Sequence, residues 1–225
     1  MMNDLEITES MVEHFVKIDA EAEEYLKRMK KQVESEDPLI RSSSALCGFL
    51  ELAIHHLLYV KNVYPRNCFK SIRRNNFKIW TCKHPGVRKY ILDFLDFCHQ
   101  LLVKDKNLRI SFVLKRNSGV IIECYNFDVK VNDLIQSQDE VVDVIDRLLS
   151  ICEDIEKNNT FSDSNTHDQG EDGITFELQI RIKPPSFLPS ITQNFPWAIC
   201  LDQERDSYVE EEPGASYEVS ARLLD

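Results

Sequence analysis

Glycine is scarce in this chain, with six among 225 residues and none of them clustered. Phosphate-cradling loops need glycines in G-x-x-x-x-G-K or G-x-G-x-x-G order, so nucleotide chemistry on those scaffolds is excluded. The seven cysteines, Cys47, Cys68, Cys82, Cys98, Cys124, Cys152 and Cys200, are odd in number and form no C-x-x-C pair. A disulfide framework or a structural zinc site depends on such spacing, so the expected role of these residues is that of small buried hydrophobes. No metal site and no cofactor is expected. No stretch approaches the ~18 uninterrupted apolar residues of a membrane span. The opening residues, MMNDLEITES, hold neither a basic start nor an apolar run, so no secretory leader is expected and a reducing compartment is. Catalytic signatures are also missing. There is no G-x-S-x-G and no H-E-x-x-H. Cys98 and His99 are neighbours in a helical pattern and diverge, whereas a nucleophile pair needs contact. His55 and His56 diverge likewise and cannot chelate together, so satisfied or exposed histidines are expected there. No catalytic residue is expected.

Apolar residues make up 43% of the chain and charged ones 29%, which supports one domain of good size plus an appendage. The net charge of −11 is uneven. Residues 1–41 carry −5, residues 42–135 carry +8, and residues 136–225 carry −14. Between Lys61 and Lys89 there are nine Lys or Arg and no acid, with Tyr64, Phe69, Phe77 and Trp80 interleaved. That composition suits single-stranded nucleic acid, where bases stack and phosphates pair, and a nucleic-acid-binding module through segment 61–89 is one alternative. The alternatives to it are a solvated basic face and a match for the acidic C-terminal third. A whole-chain charge of −11 opposes a polyanion at long range, so direct nucleic-acid contact ranks below protein binding.

Periodicity orders the chain. Met11, Phe15, Ile18, Tyr25, Met29 and Val33 recur at mostly helical spacing, giving an amphipathic helix over about 9–34 that Pro38 breaks. This arm could pack on the body, pair with a partner helix or move freely. After the serine run Ser42 to Ser44, ALCGFLELAIHHLLYV is apolar on more than one face and reads as the central core helix, ended by Pro65. A third helix starts at His84-Pro85 and runs to Leu102. LRISFVLK and VIIECYNFDV flank Asn117-Ser118-Gly119 as a hairpin. Ser137 and Glu140 form a capping box for a helix reaching Ile155, and Asn158 to Asp172 is a polar loop. In ITFELQIRIK, Ile174, Phe176, Leu178, Ile180 and Ile182 face inward and Thr175, Glu177, Gln179, Arg181 and Lys183 outward. The residues after Pro184-Pro185 show no helical period, and long irregular segments of this kind are usually functional.

The stretches FLELAIHHLLYVKNVYP, Cys68-Phe69, CKHPGVRKYI, ISFVLKRNSGVIIECYNFDV and NFPWAICLDQE resemble the HORMA domain over about Cys47 to Glu204. Leu58 to Pro65 is shared with spindle-checkpoint members. The H-P-x-x-x-x-Y-I and F-P-W elements are most similar to the accessory, non-catalytic subunit of translesion DNA polymerase zeta. The resemblance implies an α+β fold, with three helices on a mainly antiparallel sheet and a C-terminal safety belt. It divides the chain into an N-terminal helical extension, 1–41, and a HORMA domain, 42–225, with the belt at 184–225. It implies a non-enzymatic adaptor for the DNA damage response, in the nucleus with some in the cytoplasm. The belt would wrap an extended, proline-containing peptide of the polymerase's catalytic subunit or another repair protein. The peptide anchors map onto Tyr90, Trp197 and Ile199. A second surface, for a deoxycytidyl-transferase translesion polymerase, maps onto Tyr217, Val219, Ala221 and Leu223. Self-association into a HORMA dimer maps onto Arg147, and an ATP-driven remodeller would open the belt. The alternative within the family is spindle-checkpoint or meiotic-axis signalling.

Overall fold

The computed structural model describes residues 9–74, 77–105, 107–131, 149–150, 152, 154, 156–157, 173–181 and 217–219. The first helix, α1, spans Glu9–Val33. Among its described side chains, Ala22, Tyr25 and Met29 are buried while Glu23, Glu24, Lys27, Arg28 and Lys30 are exposed. Such a stripe is one helical face, and it packs on α2 (Pro38–Val60) and α3 (Pro85–Asp105). Arg28 reaches Asp96 of α3 across the seam. Of the three fates open to the N-terminal helix, packing on the body is the one observed.

The start of α2 corrects the sequence reading. The helix begins at Pro38, so the serine run lies inside it and Ser42, Ser43 and Ser44 are all buried. The reason is local chemistry: Asp37 is the N-cap, its carboxylate accepting from the N–H groups of Leu39 at 2.8 Å and Ile40 at 3.4 Å, and proline needs no donor at the first position. Asp37→Ala should therefore cost about 1 kcal/mol in urea denaturation, and a change within error would show that the cap is idle. At the other end Asn62 takes a left-handed φ of 52°, and Val63 N–H donates to Leu58 O, so the stop precedes Pro65. By length and composition α2 could cross a membrane, but 78% of its most apolar window is buried within the protein.

The strands β1 (Phe69–Arg74) and β2 (Phe77–Cys82) pair antiparallel as a two-stranded ribbon that the sequence pattern does not announce. The second sheet holds β3 (Asn107–Arg116), β4 (Ile121–Lys130), β5 (Ile174–Arg181) and β6 (Tyr217–Val219) in the order β5-β3-β4-β6. Its pairings are antiparallel except β4 with β6, which is parallel. The β3–β4 turn is the expected one, with Gly119 at φ 92°, a conformation that a side chain would strain. Leu108, Ile110, Phe112 and Leu114 of β3 and Tyr125, Phe127 and Val129 of β4 point into the core, joined by Leu178 of β5. On the opposite face Arg109 grips Asp128 with two hydrogen bonds, Ser111 bonds Asn126, and Lys115 pairs with Glu177. Alternation therefore separates an apolar face from a polar ladder. Leu149 and Cys152 are helical and buried, as expected of the helix reaching Ile155. Its capping box at Ser137 and Glu140, the loop Asn158 to Asp172, Ile182 and Lys183 lie outside the described residues.

His55 and His56 are both buried. His55 Nδ1 accepts the Cys82 N–H at 3.3 Å, which fixes the neutral ring as its Nε2–H tautomer. His56 lies 3.6 Å from the Glu156 carboxylate. Burial first, and the Arg88 guanidinium second, lower the His55 pKa from 6.5 to about 4. The folded chain keeps this ring neutral while the unfolded chain takes a proton near 6.5. Its stabilisation is thus present above that pH and lost as pH falls toward 4, by about 3 kcal/mol in all. His99, bonded to Ser44 at 3.1 Å, is shifted down chiefly by burial and acts in the same direction. Thermal melts across this window should show a falling Tm, and His55→Gln should flatten the fall. An unaltered slope in the variant would clear His55 of the effect.

Candidate functional site

β5 is an edge strand of the four-stranded sheet among the described residues. Its inner neighbour is β3, with Leu178 opposite Phe112. The Leu178 N–H, however, donates to the Tyr90 hydroxyl of α3 at 3.2 Å. An antiparallel strand turns the N–H and C=O of one residue to the same side and those of the next to the other side. Leu178 therefore presents its main chain outward, and Phe176 and Ile180 do so by the same alternation. Their side chains pack against the core, while those of Thr175, Glu177 and Gln179 sit on the polar face. An extended segment laid along this edge would pair with the main chain of 176 and 180, on either side of the Leu178 N–H that Tyr90 already holds.

Tyr90 is positioned by the first turns of α3, which Pro85 starts. Its ring meets Phe176 edge-on at 5.6 Å between centroids. Tyr64, just past the end of α2, meets the same Phe176 edge-on at 6.3 Å, and Phe112 stacks on it at 5.6 Å. Aromatic pairs at these separations fix ring orientation as well as burying area. Burial raises the Tyr90 pKa, the Leu178 hydrogen bond pulling the other way, so the phenol is neutral over the physiological range. Tyr64 is also shifted up, by burial and then by Cys82 and Tyr90. The site is thus an uncharged aromatic corner beside a strand edge, suited to holding apolar or proline side chains and poorly suited to proton transfer.

Of the expected site residues, the structure places Tyr90 at this corner. For Tyr217 and Val219 it places the backbone alone, in β6 opposite Tyr125 and Phe127. Trp197, Ile199, Ala221, Leu223 and Arg147 lie outside the described residues. Sequence reasoning passed over Tyr64 and Phe176 as site residues. The available signals were the Tyr64-Pro65 step after the core helix and the aromatic in the most strictly alternating strand. Among the described residues no group of three or more His, Cys, Asp or Glu could hold a metal ion. A cleft of about 620 Å³ between α1 and α3 is lined by Lys27, Arg28, Lys31, Lys89, Asp93 and Asp96 among others. Its charges largely answer one another, Arg28 with Asp96 and Lys89 with Asp93.

A family model described as the HORMA domain matches residues 42–172. The mitotic spindle assembly checkpoint protein MAD2B of Danio rerio is 25% identical over 171 residues, covering 71% of this chain and 76% of that protein. The DNA polymerase zeta processivity subunit of Schizosaccharomyces pombe is 34% identical over 50 residues, 22% of this chain and 24% of that protein. Among solved structures, a mitotic checkpoint complex contains a chain similar in fold, with a TM-score of 0.57 and 21% identity over 71% of this chain and 82% of that one. α1 precedes the matched span, whereas α2, α3, the ribbon and the β3–β4 hairpin all fall largely or wholly within it. With more than half of its length matched in this way, the chain belongs to the HORMA-domain family.

Proposed function

We propose that this protein is a non-enzymatic adaptor that clamps an extended, proline-containing segment of a DNA-repair partner along the outer edge of β5. The catalytic subunit of DNA polymerase zeta is the first candidate partner. The observation that carries this reading is the outward Leu178 N–H held by the Tyr90 hydroxyl at the end of the sheet. Strand addition supplies main-chain hydrogen bonds without regard to sequence, and pockets for alternate side chains supply selectivity. Ordering the guest costs about 1–2 kcal/mol per residue, while each net hydrogen bond returns only about 0.5–1.5 kcal/mol. Anchors and enclosure must make up the difference. Tyr90 is one anchor, and Trp197 and Ile199 are assigned as the others.

Residues 182–216 connect β5 to β6, which stand at opposite edges of the sheet among the described residues. A belt at 184–225 in a HORMA domain of 42–225 is consistent with that connectivity, with 1–41 as the extension. Enclosure slows escape more than it speeds capture, so the complex should be long-lived. Self-association through Arg147, an ATP-driven remodeller, a nuclear location, and a second polymerase surface at Tyr217, Val219, Ala221 and Leu223 belong to the same reading. The name of the MAD2B relatives supports a second reading, checkpoint signalling through the same clamp. Affinity purification of the full chain with mass spectrometry separates them. Recovery of polymerase or repair subunits supports the first reading, and recovery of checkpoint or axis proteins alone overturns it in favour of the second.

A further inference from the structure

Several cations of the ribbon have no acidic partner among the described residues, which the peptide clamp does not explain. Of the nine in segment 61–89, Lys61 is buried and paired with Glu123, Arg66 donates to the Tyr59 hydroxyl, and Lys89 pairs with Asp93. Lys70, Arg73, Lys78 and Lys83 are exposed, and none makes an ion pair among the described residues. Arg73 and Lys78 stand directly opposite each other across the strands. Like charges in that position are destabilising, and no carboxylate among the described residues pairs with either. Lys70 is offset by one odd step from Arg73 and so projects from the other face. The ribbon thus presents cations on both faces.

The aromatics of this segment are already engaged. Trp80 is stacked on Tyr59 with 4.2 Å between centroids and carries Lys78 at 4.6 Å, while Phe69 is buried and edge-on to Tyr59. Tyr64 meets Phe176 and Phe77 packs against the core, so all four rings are already committed to the fold, which disfavours the single-strand mode. Among the described residues the exposed large hydrophobics are Leu26 and Val120, neither on the ribbon. A protein interface draws its strength from a desolvated apolar centre, whereas nucleic-acid interfaces are polar and positive. We propose that the β1–β2 ribbon binds the phosphate backbone of duplex nucleic acid through Lys70, Arg73, Lys78 and Lys83, without base selectivity. A two-stranded ribbon fits the major groove, where phosphates flank it on both sides. At physiological salt the screening length is about 8 Å, so the net charge of the whole chain weighs less at the ribbon than its local patch does.

The test is fluorescence anisotropy of the full chain with a short labelled duplex. Four phosphate contacts predict a log–log salt slope of about −3.6, a loss of roughly 10²-fold between about 50 and 200 mM salt. The variant K70E/R73E/K78E should lose binding while keeping its Tm and its capture of the clamp peptide. The variant K70R/K78R should bind as wild type. Absence of duplex binding at about 50 mM salt, or equal binding by the charge-reversed variant, overturns the proposal. Tighter binding to a single strand than to the duplex also overturns it. So does carbodiimide cross-linking of Lys70 or Lys78 to the chain's own Glu210 to Glu212, because the face would then serve an intramolecular acid.

Discussion

Trp197→Ala is expected to weaken capture of a proline-containing partner peptide by roughly thirtyfold or more, on the order of 2 kcal/mol, without unfolding the domain. Tryptophan and tyrosine supply large, rigid apolar area with a polar tip, and such anchors carry about 2 kcal/mol or more each at the centre of an interface. Tyr90 allows a finer dissection, because its two contributions are structurally separate. Tyr90→Phe keeps the ring against Phe176 and deletes only the acceptor for Leu178 N–H, a bond already made without peptide, so it should cost about 1 kcal/mol of folding stability and change peptide affinity little. Tyr90→Ala removes both and should fall near the Trp197 variant. Titration calorimetry with a fixed peptide distinguishes the outcomes. Wild-type affinity in Trp197→Ala would remove the belt anchor, while a weakened Tyr90→Ala would still leave the strand edge as the docking place.

Phe112→Ala should cost about 3–5 kcal/mol of folding stability. Phe112 is fully buried on β3, stacked on Phe176 of β5 at 5.6 Å and edge-on to Tyr125 of β4 at 6.2 Å. Removing its ring opens a void between three strands, which a packed interior fills only in part. Domains of this size hold about 5–15 kcal/mol in total, so urea denaturation should show a large fall in midpoint. Phe176 would also lose its backing, so capture at the Tyr90 corner should weaken in the same variant. A loss below about 1 kcal/mol would contradict the place given to Phe112 in the core.

The elements that announced themselves in sequence are those whose side-chain period matches their burial. The hairpin is the clearest case: Ile110, Phe112 and Leu114 alternate with Arg109, Ser111 and Lys115, and the structure turns the first set inward and leaves Arg109 exposed. Pro85 placed the start of α3 for a similar reason, since the ring both permits and pre-sets a first helical turn. The ribbon was illegible because its apolar residues follow no period of two. Phe69 and Ile72 are three apart, and Ile79 is followed directly by Trp80, the first packing into the core and the second on Tyr59. The serines at the head of α2 misled because serine commonly precedes helices, whereas here Asp37 had already taken that position. At the site, the resemblance named Tyr90. Its partners Tyr64 and Phe176 come from segments far apart in sequence and depend on how α2, α3 and β5 meet, which no local pattern records.

The central claim is that a guest segment becomes the next strand beyond β5. Hydrogen–deuterium exchange, with and without the partner peptide, reads this at single amides. The outward N–H groups of Phe176 and Ile180 should gain protection on binding, while the inward ones of Glu177 and Gln179 should change little. Protection confined to the β1–β2 ribbon or to the cleft between α1 and α3, with the β5 amides unchanged, would contradict the account.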